Sequence, residues 1–175
     1  MRKSALSALV ILAFLLSPLP AMTEMITGGL LSIGELSRRS DFVLIGRVVA
    51  VTSEWTKGRT GIETRVQVVA EQPLKGSSQA RERVEFVQLG GKVGEFVSAV
   101  GGAPSFAEGE RVLLFLSRKP DGVLGLVVQF QGKFRVETDA VSGGELAVRR
   151  LPGSDKVLDR IPLEQARFEI SQSIR

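Results

Sequence analysis

The spacing of apolar residues along this chain switches repeatedly, and each switch marks an element. "SIGELSRR" opens with Ser32 and places Glu35 three residues on. That capping-box pairing predicts a short helix over about Ile33 to Arg39, ended by Ser40-Asp41. "DFVLIGRVVAVTSEW" is a long β-rich run with two apolar faces. Phe42, Leu44, Val48 and Ala50 alternate with Val43, Ile45, Val49 and Val51. A strand of that kind is covered on both sides, and Gly46 in its middle marks a bend or bulge. After the turn "TKGRTG", Ile62, Thr64, Val66 and Val68 alternate with Glu63, Arg65 and Gln67. One dry face and one wet face predict an antiparallel partner, with Pro73 ending the pairing and Gly76 turning the chain.

"RVEFVQL" is a third strand, with Val84 and Phe86 pointing one way, and "GEFVSAV" a fourth extended piece. "RVLLFLS" is apolar on both faces and reads as another buried strand. "RKPDG" fits a type I turn. "VLGLVVQF" and "GKFRVE" follow as extended segments, then the turn "TDAVSGG" and "ELAVRR" as the last strand. "LPGSDK" is linker-like. Residues 162–174 form an amphipathic C-terminal helix, with Pro162 in its first turn and Leu163, Ala166, Ile170 and Ile174 on one face. Seven or eight short strands with Gly- and Pro-rich breaks predict an all-β fold. An antiparallel OB-like barrel accounts for the bent first strand and terminal helix better than the alternative, a β-sandwich.

The N-terminus alters this picture of a single domain. Arg2 and Lys3 precede an apolar run from Ala5 to Leu16, and Ser17-Pro18-Leu19-Pro20-Ala21 follows. This is the layout of a secretory signal peptide over residues 1–21, too short to span a membrane. The expectation is an exported chain, periplasmic or secreted, with residues 22–175 as one domain and no integral membrane span after cleavage. Two of the four net positive charges sit in that leader, so the surface of the remainder is of mixed charge.

Composition then narrows the chemistry. Histidine, cysteine and tyrosine are all absent. Ser-His-Asp and Cys-His nucleophile systems are therefore excluded, as are disulfides and metal sites built on His or Cys. No cofactor or metal is expected. "LGGKVGEF" carries a lysine between glycines, as phosphate loops do. But Gly91-Lys92 is followed by Val93 where a hydroxyl residue is needed, and by a strand where a helix is needed. No nucleotide is expected, and Gly90, Gly91 and Gly94 are read as corner or bulge residues. Glu108 and Glu110 could form a glycosidase-type pair, yet they flank Gly109 and are read as solvated turn residues. Asp139, Ser142 and Glu145 lack the pattern of a calcium loop. Nothing in the sequence positions a Ser-Lys dyad. Arg38-Arg39, Arg118-Lys119 and Arg149-Arg150 lack the aromatic platform that nucleic-acid binding uses, so no nucleic acid is expected.

Three residues stand out as candidates for contacting a partner. Trp55 is the only tryptophan and ends the first strand beside a glycine-rich turn. Phe106 and Pro104 lie in the loop "GGAPSFAEGE". Each has a bland alternative, capping or plugging the barrel end.

"SDFVLIGRVVAV", "TRVQVVAEQPLKG", "VEFVQLGG", "GAPSFAEGERVLLFL" and "QGKFRV" together resemble a group of bacterial exported proteins of uncharacterised function. The resemblance covers most of residues 30–137. More remotely the chain resembles the netrin/tissue-inhibitor-of-metalloproteinase module, an OB-like barrel. Asp41, Val43, Gly46, Val48 and Val51 match its first strand motif, and Val69, Lys75 and Gly76 its second. Tissue inhibitors chelate the protease zinc through an N-terminal cysteine, which this chain lacks. The resemblance therefore implies a fold and no functional residue. The expectation is a non-catalytic binding module whose barrel-rim loops contact another envelope or secreted protein, a protease among the candidates. The alternatives are a cell-envelope oligosaccharide or peptidoglycan binder, and a hydrolase working with carboxylates alone. If the C-terminal helix belongs to the core, ending the chain after Lys156 lowers the melting temperature clearly; an unchanged temperature places the helix outside the core.

Overall fold

The structure of the protein is a computed structural model that describes residues 29–76 and 81–174. The expected leader over residues 1–21 lies outside the described residues. The chain divides into a segment up to Leu30 and a compact unit from Leu31 to Arg175, and every element named below belongs to that unit.

Helix α1 (Ile33–Arg39) forms where the capping box places it. Ser32 Oγ accepts from the Glu35 N–H at 3.3 Å, and the Glu35 carboxylate accepts from the Ser32 N–H at 2.9 Å. The Ser32 N–H bond, and after it the Ser32 hydroxyl donating to the same carboxylate at 2.8 Å, hold the Glu35 carboxyl below the usual range. Ten strands follow: β1 (Phe42–Trp55), β2 (Ile62–Lys75), β3 (Arg83–Leu89), β4 (Gly91–Val93), β5 (Phe96–Ser98), β6 (Arg111–Arg118), β7 (Leu124–Leu126), β8 (Lys133–Thr138), β9 (Glu145–Arg150) and β10 (Val157–Pro162). Helix α2 (Leu163–Ser173) ends the unit.

The fold is all-β and antiparallel, as the alternation predicts. One sheet runs β10-β9-β8-β6-β1-β2-β3, with β7 also paired to β6; β4 and β5 form a separate hairpin. The sheet coils until β7 lies against β3. No ladder joins that pair, and Lys119 crosses the seam by donating from Nζ to the Val87 carbonyl at 3.2 Å. Side chains from β1, β2, β3, β6 and β7 then share one barrel interior: Leu44, Val48, Val66, Phe86 and Leu114 are among its members.

The other face of β1 and β6 carries a second core. Val43, Ile45, Leu113 and Phe115 pack there beneath α1 and α2, with Phe134 from β8 and Ala147 from β9. Both helices present apolar positions to it, Ile33 and Leu36 from one, Leu163, Ala166 and Ile170 from the other. The two faces of "DFVLIG" and "RVLLFLS" are dry because one looks into the barrel and the other under the helices. The bend expected at Gly46 is a register shift between Ile45 and Gly46. A Cβ there would meet the Val69 carbonyl and Val68 Cγ1 at 2.6 Å, so only glycine lets β2 approach.

Several expectations are corrected. A further register shift, between Val48 and Ala50, leaves Val49 without a partner, so Val51 joins Val48 on the barrel side instead of facing away from it. Pro73 does not end the pairing: it lies opposite Leu44 within β2, past the end of β3 and beside a register shift, where a missing donor is tolerated. "VLGLVVQF" is extended only to Leu126. Val128 and Gln129 adopt φ of 47° and 49°, and a 3₁₀ turn (Gln129–Gly132) follows. "ELAVRR" is not the last strand, because β10 pairs with it across the "LPGSDK" turn. Ile174 is exposed while Leu163, Ala166 and Ile170 are buried.

One charged side chain lies inside the second core. Arg149 is 2% exposed, with its guanidinium 4.8 Å from the Phe134 ring centre. It pairs with Asp159 of β10 and donates to the carbonyls of Leu31 (3.0 Å) and Gln131 (3.4 Å). The Leu31 N–H donates in turn to Gln131 Oε1 at 2.8 Å. The start of the unit, the 3₁₀ turn and the last strand are thus tied at one point.

On α2, Ile170 is 1% exposed and Phe168 64%. Ile170→Ala is expected to destabilise by about 2–4 kcal/mol, whereas Phe168→Ala changes stability by less than about 0.5 kcal/mol. Urea unfolding of the two variants checks the pair.

Candidate functional site

"LGGKVGEF" builds the small hairpin at the far end of the β1–β2 ribbon. The Gly90 N–H donates to the Ile62 carbonyl at 2.8 Å, and Thr64 Oγ1 donates to the Gly90 carbonyl at 2.7 Å. Gly91 has φ of 139° and sits where the Ser53 and Thr64 hydroxyls, themselves 2.9 Å apart, leave no room for a Cβ. Gly90 lets the chain pass the Ser98 carbonyl, and Gly91 lets it rest on the two hydroxyls. The turn at Gly94 (φ 60°) then sends β5 back along β4.

Trp55 is half-buried against this hairpin. Its ring meets Phe96 edge-on with centres 5.3 Å apart, and the Arg59 guanidinium lies 5.3 Å from the ring centre. Phe96 itself stays 64% exposed, and Val97 and Leu89 are also largely exposed.

Phe106 and Pro104 form a different site. Pro104 is buried and its carbonyl accepts from Gln88 Nε2 at 2.9 Å. Phe106 turns inward, edge-on to Phe86 at 5.3 Å, and packs on the barrel core. No ring contact or hydrogen bond joins either residue to Trp55 among the described residues. Pro104 instead stands between two clefts, one of about 370 Å³ and one of about 180 Å³.

The larger cleft has a built ionic floor. Lys133 and Arg135 point to it because Phe134 and Val136, which alternate with them, face the helix-side core. Lys133 Nζ lies 2.7 and 2.9 Å from the two Glu110 carboxylate oxygens. It also donates to the Ser105 carbonyl at 2.5 Å and sits 4.3 Å from the Phe106 ring centre. The side chains are only 12% and 7% exposed. Burial holds the Lys133 ammonium below its usual range, with the Glu110 charge opposing that shift. Glu110 is therefore not the solvated turn residue expected of "AEGE", although Glu108 is exposed. The pair clamps the 101–110 loop, and with it Phe106, onto β8.

The other candidates resolve into structural roles. Asp139 accepts from Ser142 Oγ at 2.6 Å and from two backbone N–H groups, which holds its carboxyl below the usual range and forms a hairpin turn. Glu145 is engaged with Arg111, so these oxygens do not converge on one point. The basic pairs are dispersed: Arg38 and Arg39 close α1, Arg118 lies over Phe42, Arg149 is buried, and Arg150 pairs with Glu137 at 3.0 Å. Among the described residues no group of three or more acidic side chains could hold a metal ion, and no helix is long and apolar enough to cross a membrane.

Sequence reasoning missed Phe96 and the Lys133–Glu110 pair. Phe96 sits in an alternating segment that reads as a sheet strand, and only the sheet order shows it outside. Neither a scan against protein-family models nor a search of curated proteins finds a match for this chain.

Lys133→Met leaves a buried carboxylate without its cation and is expected to cost about 3 kcal/mol. Adding Glu110→Leu removes the orphaned charge and is expected to restore most of that loss. Denaturant unfolding of both variants checks the cycle.

Proposed function

We propose that the chain is a non-catalytic exported module that binds another envelope or secreted protein through the rim formed by Trp55 and the β4–β5 hairpin. The observation that carries this reading is the exposure of Phe96, whose ring lies against the single tryptophan at the end of the β1–β2 ribbon. Leaving such groups in water costs solvation free energy, and aromatic residues of this kind dominate the energetics of protein contacts. The hairpin is anchored to β1 and β2 by the Gly90 and Gly91 packing, so little backbone order is lost when a partner arrives. The arginine over Trp55 supplies a polar edge to the apolar centre.

Export rests on the N-terminal pattern of residues 1–21. The non-catalytic reading is supported by the composition and by the way the most enclosed ionic pair is saturated: Lys133 gives its donors to Glu110, Ser105 and the Phe106 ring. Of the three residues expected to meet a partner, this reading keeps Trp55. It gives Phe106 and Pro104 the work of closing the barrel and walling the clefts.

The test is affinity capture on immobilised protein from envelope and supernatant extract of the native host. A Trp55→Ala/Phe96→Ala variant serves as the control, with its melting temperature measured alongside. The expected result is a specific protein retained by the native chain and lost by a variant that remains folded. Equal retention by both proteins would remove the rim from consideration.

A further inference from the structure

The 370 Å³ cleft lies between the loop carrying Pro104 and the 151–155 turn, and shares no residue with the Trp55 rim. Its charges leave a remainder. Lys133 is spent on Glu110. Arg150 gives Nη2 to both Glu137 oxygens and Nη1 to the Asp155 carbonyl. Arg135 is 54% exposed, and the nearest anion to it is the Glu110 carboxylate, 3.8 Å from Nε and already held by Lys133. The two terminal nitrogens of Arg135 make no hydrogen bond among the described residues. The Asp155 carboxylate, exposed on the turn across the cleft, likewise makes no bond or ion pair. Arg135 and Asp155 therefore both line this cleft, and each carries charged atoms that no hydrogen bond engages among the described residues.

We infer that this cleft is a binding site for a small zwitterion, an amino acid or a peptide end that carries both a free carboxylate and a free ammonium group. The guanidinium fork of Arg135 matches a carboxylate with two parallel donors. Asp155 receives the ammonium. A simple anion would face Asp155 and Glu110, and a simple cation would face Arg135, Lys133 and Arg150, so each is opposed where a zwitterion is matched at both ends. Pro104, Phe130, Leu151 and Pro152 also line the cleft, beside Ser105 and Ser154, and offer apolar contact to a side chain. The volume falls near the lower end for ligand sites, which suits one or two residues and not a long polymer.

The experiment is calorimetric titration of the full chain with alanyl-leucine, its C-terminal amide, its N-acetyl form, and free leucine. The expected result is binding of alanyl-leucine that weakens by about tenfold in the amide and about tenfold in the acetylated form. Arg135→Gln is expected to abolish the difference between the dipeptide and its amide. Asp155→Asn is expected to abolish the difference between the dipeptide and its acetylated form. Both side chains are exposed, and circular dichroism verifies that the variants fold. Tighter binding of the dipeptide than of leucine identifies a peptide end as the ligand; the reverse order identifies a free amino acid. No heat for either compound up to about 10 mM, or equal affinity for all the derivatives, or binding unchanged in both variants, would overturn the assignment.

Discussion

The structure depends on two strands that cannot leave either face in water. β1 and β6 are paired from Phe42↔Leu116 to Arg47↔Arg111, and from Phe42 to Gly46 both faces are apolar. One sheet face covered by a barrel would strand Val43, Ile45, Leu113 and Phe115. The helices at the two ends of the unit exist, in packing terms, to cover those residues. The barrel exists to cover Leu44, Val48, Val112, Leu114 and Leu116. Everything else is arranged around that shared wall: β2 and β3 extend it on one side, β8, β9 and β10 on the other. Burial on both faces also explains why no disulfide is needed in a domain of this size.

Where the elements lie was largely readable from period alone, because burial dictates period. The capping box gave α1 its limits, and the double apolar alternation gave β1 and β6 their central place. What escaped was whatever depends on a partner distant in the chain. Val49 looks like any other member of its alternation, and only the register with β2 makes it the odd residue of a bulge. Pro73 is forbidden in a central strand and acceptable here because β3 has already ended. β10 follows the linker-like "LPGSDK" and alternates weakly, so the sequence marks no strand there, and its place shows only in its pairing with β9 and in the Arg149–Asp159 ion pair.

The site was less legible than the fold, for the same reason. Trp55 could be singled out by its rarity, but its neighbour Phe96 could not. An alternating "EFVSAV" has one sequence whether its hairpin joins the barrel or stands apart. Phe106 and Pro104 stand out as apolar residues in a glycine-rich loop, but the sequence does not tell that the ring packs on the barrel core against Phe86 or that the proline lines two clefts. Glu110 and Lys133 lie 23 residues apart in sequence. Both look like ordinary surface charges until the loop folds over them.

The tie between Leu31 and Arg149 joins residues 118 positions apart. α1 also rests on α2, so the first and last elements of the unit are neighbours. Of the elements of this unit α1 is made first, before its docking surface exists. The capping box can hold that helix locally, but Ile33 and Leu36 have no lasting cover until the final strand and helix are complete. The unit is in this sense closed like a clasp, and its helical side assembles only after β10 and α2 have been made.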